Sequence, residues 1–268
     1  MQKITKKQAY ALGVIFFLSL LFRAIFISNS YYDPEEIARV IITHTTPFSS
    51  FLAAAKMDMT AFLDMFYLRA SYQLFDSELF TRSAQLLLGM IYLALIYSFA
   101  GRMFENRAAA LLTAAITGFS TFHTFYSGII RYHNFICIFS LLSYYSFWLI
   151  TTKQFRWKYA LAYGISTSLA LMSQYYAFYL IGAQIATFII LNWRKPASWL
   201  KIVPGLLLSF LIFSLWIPIF IFQLKQTSTH AASGTRTVFE KIFSRDLLNL
   251  FDVLFNFMLG DHYLIHSH

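Results

Sequence analysis

The stretch from Tyr10 to Ser28, YALGVIFFLSLLFRAIFIS, decides the fold class. Its only charged residue is Arg23, and about 20 predominantly apolar residues are what a helix needs to cross the hydrocarbon core of a bilayer. Comparable runs return at 83–100, 108–125, 132–151, 159–172, 175–192 and 202–222. Composition agrees: the 268 residues are 58% hydrophobic and 12% charged, against roughly 25% charged in a soluble domain. Mean hydropathy is +0.58. The expected fold is all-α, a polytopic membrane bundle of about seven transmembrane helices. Lys3, Lys6 and Lys7 ahead of the first run resemble a signal peptide. The run is long, however, and Ser28-Asn29-Ser30 is followed by bulky Tyr31 and Tyr32, so an uncleaved first span is expected.

The charges are unevenly placed. The chain carries +9 overall, yet 29–82 holds seven acidic and four basic residues and the remainder is +12. Much of that excess sits in short connections: Lys3, Lys6 and Lys7 before the first run; Arg102 and Arg107; Lys153, Arg156 and Lys158; Arg194, Lys195 and Lys201. With alternating spans all four groups fall on one side, which the positive-inside rule makes the cytoplasm. This is topology rather than a nucleic-acid patch, so no nucleic-acid partner is expected. The opposite connections, 126–131 and 173–174, carry only Arg131. The expected location is the cell (inner) membrane, multi-pass, with a cytoplasmic N-terminus.

Residues 29–82 then form a long first extracytoplasmic loop. Asp33-Pro34-Glu35-Glu36 starts a helix, with Asp as N-cap and Pro at the first helical position. It should run to about Thr43, where His44-Thr45-Thr46-Pro47 breaks it. A second, amphipathic surface helix is expected over 60–75. The membrane module thus covers 1–222. The segment 223–268 reads as extracytoplasmic, with one helix near 244–259 and the character of a truncated end. Cys137, the one cysteine, excludes an internal disulfide or a CxxC site. Neither a P-loop nor a Rossmann fingerprint is present.

This order of features resembles the GT-C superfamily of integral-membrane glycosyltransferases, above all the bacterial relatives of the protein O-mannosyltransferases and the lipid A sugar transferases. Tyr32-Asp33-Pro34-Glu35-Glu36-Ile37-Ala38 is similar to that family's acidic motif after the first span. Phe75-Asp76-Ser77-Glu78-Leu79-Phe80-Thr81-Arg82 resembles its entry to the second span. Gly101-Arg102-Met103-Phe104-Glu105-Asn106-Arg107 resembles its first inner loop. Tyr126-Ser127 followed by Arg131, Ser173-Gln174-Tyr175-Tyr176 and Trp216-Ile217-Pro218 are also similar to it. The likeness runs from about Leu21 to Gly260 and implies a seven-span module whose long outer loop carries two surface helices. Three departures stand out. Gly128-Ile129-Ile130 fills a gap where the family often has an acidic residue, Gln174 stands where a histidine is common, and Met59-Thr60-Ala61 replaces a proline-rich helix start.

The resemblance implies transfer of a sugar from a polyprenyl-phosphate carrier to a hydroxyl acceptor (lipid, glycan or protein) on the extracytoplasmic face, with inversion. Such chemistry needs a carboxylate to take the acceptor proton and cations to neutralise the departing phosphate. Asp33 is the first candidate base, although Asp-Pro-Glu-Glu is equally a capping box; Glu35 is the alternative, and Glu36 reads as a helix cap. Arg131 is the main candidate for the donor phosphate, with His133 and Tyr132 beside it. Arg23 would pair with Asp33, reach phosphate or snorkel to headgroups. Asp58 is either a second acidic residue near the acceptor or a solvated loop charge. No cofactor is implied with certainty: Asp33, Glu35 and Asp58 could supply oxygen ligands to a divalent metal ion, but no spacing compels it. His262, His266 and His268 have metal-compatible spacing at a terminus that also suits fraying. The expected partners are a polyprenyl-phosphate-linked sugar, membrane lipid and a larger membrane complex. The alternative function is a non-catalytic membrane subunit of such a complex that retains the GT-C fold. A transporter would need inverted repeats or broken spans with buried ionisable residues, and the sequence displays neither.

Overall fold

The computed structural model describes residues 5–28, 34–58, 62–153, 155–194 and 200–232, with side chains to 225 and that of Ser28 excepted. Asp33, the expected helix at 244–259 and His262, His266 and His268 lie outside these residues. The described residues form twelve helices and no strand. These are α1 (Lys6–Ser28), α2 (Pro34–His44), α3 (Phe48–Met57), α4 (Leu63–Leu74), α5 (Glu78–Met103) and α6 (Arg107–Phe119). They continue with α7 (Thr121–Gly128), α8 (His133–Thr152), α9 (Trp157–Ser173), α10 (Ala177–Asn192), α11 (Val203–Ser214) and α12 (Ile217–Ala232).

Every expected apolar run is helical. By length and composition α1, α5 and α8 can each cross a membrane, and α10 is a shorter apolar helix. Two runs expected to be straight are bent. α6 and α7 meet at 60° and α11 and α12 at 66°; with each pair counted as one span, five candidates stand. Local chemistry explains the first break. Ser120 leaves the helix with extended backbone, and its hydroxyl accepts from the His123 N–H, capping α7 afresh. At the second break Pro218 occupies the second position of α12, where a missing N–H costs nothing.

The burial pattern is inverted relative to a soluble protein. Ser143, Thr167 and Gln184 are fully buried between α8, α9 and α10, while Phe17, Ile190 and Leu211 are exposed. The buried groups satisfy one another: the Ser143 and Thr167 hydroxyls are 2.8 Å apart, and Gln184 accepts from the Tyr163 hydroxyl at 3.0 Å. Close helix contact depends on small residues. A Cβ on Gly164 would lie 2.8 Å from the Gly205 carbonyl where α9 crosses α11, and one on Gly89 would lie 2.6 Å from the Ser127 Cβ where α5 meets α7.

Packing clusters order the bundle ends. Leu12 and Ile15 of α1 pack with Tyr97 and Ala100 near the end of α5 and with Ala110 of α6. Phe147 and Ile150 late in α8 pack with Tyr163, Phe188 and Ile202. Phe99 of α5 touches Tyr145 and Trp148 of α8, bringing these two clusters to the same end, where the basic connections lie. At the opposite end residues 34–58 and 62–77 close over the helices. They contain α3, a helix the sequence reading did not assign. Phe51 and Ala55 of α3 and Phe62 and Met65 beside and in α4 share a core with Leu171, Ala177, Phe213 and Trp216.

Candidate active site

The site is built on α2, which turns its polar side inward. Glu36, Arg39 and Thr43 are three and four residues apart, so they share one helical face. All three are buried, while Ile37 and Ile41 point outward, Ile41 at 65% exposure. Glu35 falls on the outer side, and its side chain is 72% exposed.

Two adjacent glutamates therefore have different partners. Glu36 meets Arg82, near the start of α5, at 3.2 Å and 3.4 Å. It also accepts from the Ile130 N–H at 2.6 Å, 94 residues away. Arg82 donates further to Glu78 at 2.8 Å and to the Gly128 carbonyl at 3.1 Å. Read from the sequence as a cap, Glu36 thus binds α2 to α5 and to the turn after α7. That turn carries Arg131. Glu35 forms an ion pair with Arg131 at 2.6 Å, and the Arg131 side chain is 18% exposed. The structure thereby joins the alternative base candidate to the phosphate candidate.

Arg39, one turn further along α2, bridges two carboxylates. It pairs with Asp64 of α4 and, at 3.5 Å, with Asp58 after α3. Its guanidinium also lies 5.7 Å from the ring of Tyr132. Asp64 is fully buried, and its Oδ1 has no hydrogen-bond partner. Burial pushes its carboxyl up to about 6 against the opposing pull of Arg39. Asp58 keeps 23% exposure, and its backbone carbonyl accepts from Gln223 of α12 at 2.6 Å. Arg69 of α4 ties down the end of α2 by donating to the Thr43 and Thr45 carbonyls at 3.0 and 2.7 Å.

His133 begins α8, its ring against those of Tyr126 and Tyr132 at 4.3 and 4.5 Å. Arg23 lies elsewhere. It is fully buried between α1 and the α6–α7 break, donating to Ser127 and to the Ser19 and Gly118 carbonyls at 3.0 Å each, with His123 Nδ1 at 2.6 Å. The Gly118 carbonyl is one of those left without an intrahelical donor where α6 ends. Among the described residues no group of three or more His, Cys, Asp or Glu is placed to hold a metal ion.

Sequence reasoning missed Arg39, Asp64, Arg82 and Gln223. A signal existed for two of them: Glu36-x-x-Arg39-x-x-x-Thr43 is a polar stripe at helical spacing, and Glu78 and Arg82 are an i,i+4 pair.

A family model described as dolichyl-phosphate-mannose-protein mannosyltransferase matches residues 37–221. The match opens two residues after Glu35 and includes Arg39, Asp58, Asp64, Arg82 and Arg131. No curated protein and no solved structure matches the chain. The match spans well over half of a multi-helical chain with several helices apolar enough to cross a membrane; the chain belongs to the dolichyl-phosphate-mannose-protein mannosyltransferase family, a family of membrane glycosyltransferases.

Proposed function

We propose that the chain transfers mannose from a polyprenyl-phosphate carrier to an acceptor hydroxyl at the end of the bundle covered by α2–α4. That end faces the extracytoplasmic side of the cell membrane, with the N-terminus in the cytoplasm. The carrying observation is the 2.6 Å contact between Glu35 and Arg131. It gathers at one place an exposed carboxylate and a cation, the two kinds of charge a glycosyl transfer uses; donor binding has to part them, because acceptor and phosphate lie on opposite faces of the sugar.

In this reading Arg131, with His133 nearby, binds the donor phosphate. Asp33 or Glu35 takes the acceptor proton. The acceptor oxygen bonds to the anomeric carbon from the face opposite the phosphate. The bond from that carbon to the phosphate oxygen breaks, its electron pair leaves on polyprenyl phosphate, and the configuration inverts. Asp58, held by Arg39, stands on the acceptor side. Arg23 acts by holding α7, and so the Arg131 turn, in place. An apolar groove of about 310 Å³ between α5, α8 and α10, lined by Tyr92, Phe99, Cys137, Tyr144 and Leu180 among others, suits the isoprenoid tail.

The test is transfer from polyprenyl-phosphate mannose to a Ser/Thr-rich peptide with purified protein. Asp33→Ala or Glu35→Ala should slow turnover by about 10²–10⁴-fold, the span usual for a lost general base. If neither variant slows transfer, the base assignment is wrong. If the wild type transfers nothing from any polyprenyl-phosphate sugar tried, the reading of a non-catalytic subunit gains.

A further inference from the structure

The bend between α11 and α12 has a consequence at the other side of the outer segment. It turns α12 against α3, where Lys56 rests 4.0 Å from the Phe222 ring centroid. Here Gln223 reaches the end of α3. Its Nε2 donates to the Asp58 carbonyl at 2.6 Å and the Lys56 carbonyl at 3.4 Å. A helix end leaves its last carbonyls without intrahelical donors, so Gln223 supplies from α12 the cap that α3 lacks.

The orientation of that amide is dictated by its neighbours. Trp216, buried at the bend, can only donate through its indole N–H, and it does so to the Tyr175 hydroxyl at 2.9 Å. Tyr175 therefore turns its proton toward Gln223 Oε1. The amide oxygen is thereby committed to Tyr175, and the amide nitrogen faces the α3 carbonyls. The chain of donors runs one way, from Trp216 through Tyr175 and Gln223 to the backbone of Asp58. From there the Asp58 side chain continues to Arg39, which lies against Tyr132, the residue next to Arg131.

We propose that Gln223, oriented by Trp216 and Tyr175, is a positioning residue that sets Asp58 on the acceptor side of the site. The proposal rests on the reading of Asp58 given above. A cap needed only for folding would affect donor and acceptor alike; a positioning residue affects the acceptor.

Steady-state kinetics with polyprenyl-phosphate mannose and a Ser/Thr-rich peptide test this. Gln223→Glu keeps the shape and the Tyr175 contact but loses the donor; Tyr175→Phe removes the group that orients the amide. Each should raise the peptide KM by about tenfold and leave the donor KM within about twofold, as loss of one buried hydrogen bond implies. Gln223→His, which keeps one donor and one acceptor at similar reach, should recover most of the loss. In an Asp58→Asn background Gln223→Glu should add nothing, because it acts through Asp58. Equal changes in both KM values, full additivity with Asp58→Asn, or a silent Gln223→Glu beside a damaged Asp58→Asn would overturn the positioning role alone. Asp58→Asn with wild-type kinetics, or a wild type without transfer, would remove the Asp58 reading and this one with it.

Discussion

The two ends of the bundle use charge in opposite ways. At the α2–α4 end the six described carboxylates each meet a cation: Glu35 with Arg131, Glu36 and Glu78 with Arg82, Asp58 and Asp64 with Arg39, Asp76 with His44. At the other end Glu105 is the one carboxylate among the described residues, and four of the cations lie over aromatic rings, Arg102 over Tyr145 among them. Lys153 is 5.8 Å from the Trp148 centroid, Lys158 5.4 Å from Tyr159 and Arg194 4.8 Å from Trp193. Cations with rings and no carboxylates suit an anionic headgroup layer, which supplies the countercharge. Charges paired across distant segments fix positions instead, as a site for developing charge needs. Ring contacts occur at both ends, since Lys56 and Arg69 also lie over rings at the α2–α4 end; what separates the ends is the supply of carboxylates.

The sharpest way to break this comparison is to remove one member of a pair at each end. Arg82 and Glu36 are both buried, so Glu36→Ala leaves a guanidinium without its main counterion and should cost about 3–5 kcal/mol. Replacing both by leucine should recover a large part of that. Arg102→Ala, which loses a ring contact and a hydrogen bond to Tyr145, should cost under about 1 kcal/mol. Thermal unfolding in detergent reads both. Equal shifts for Glu36→Ala and Arg102→Ala would mean that the ion-paired end is no more interlocked than the basic one.

Within the paired end, the pair whose carboxylate is exposed should separate function from stability. Arg131→Ala disturbs a contact whose carboxylate is largely solvated, so stability should change by about 1 kcal/mol or less. Turnover should fall by about 10²–10³-fold if the guanidinium meets the leaving phosphate. Loss of fold instead of loss of turnover would place Arg131 with Arg82 as a structural cation.

Asp64 offers a smaller effect with a defined sign. Its carboxyl titrates near 6 in the fold and near 3.8 when exposed. Between those values the folded state holds the extra proton, so stability falls as pH rises from about 4 to about 6. Asp64→Asn, which cannot titrate, should flatten that part of the melting-temperature curve. An unchanged slope would show that Arg39 fully offsets the burial.

The sequence carried the apolar helices and the helix start at Pro34, because each is local: an apolar run, a turn residue. It did not carry the bends, whose signals at Ser120 and Pro218 are single residues inside runs long enough to be straight. Nor did it carry Glu36–Arg82 or Gln223–Asp58. Those contacts join positions 46 and 165 residues apart, and nothing in either segment names its partner. α2 was legible as a helix and misleading as a surface. In a membrane protein the polar stripe can be the inward one, so amphipathicity locates a helix without saying which side it buries.

The weakest pair tests how far the network extends. His44 ends α2 with Nδ1 2.8 Å from the Val40 carbonyl and Nε2 3.0 Å from Asp76. Both neighbours are acceptors, so both ring nitrogens are best satisfied as donors, which is the protonated form. The Val40 hydrogen bond, then Asp76, accordingly raise its pKa above the ordinary 6.5. A raised histidine adds stability below its unfolded value and loses it as pH rises through the folded one. Both side chains are substantially exposed, so solvent screening keeps the effect well under about 1 kcal/mol. His44→Gln should therefore melt slightly below the wild type at about pH 6 and match it above about pH 8, where neither carries the charge. A difference that persists at the higher pH would mean that His44 holds α2 through its ring against Tyr72, 4.7 Å away, and that the ion-paired network ends at Arg39.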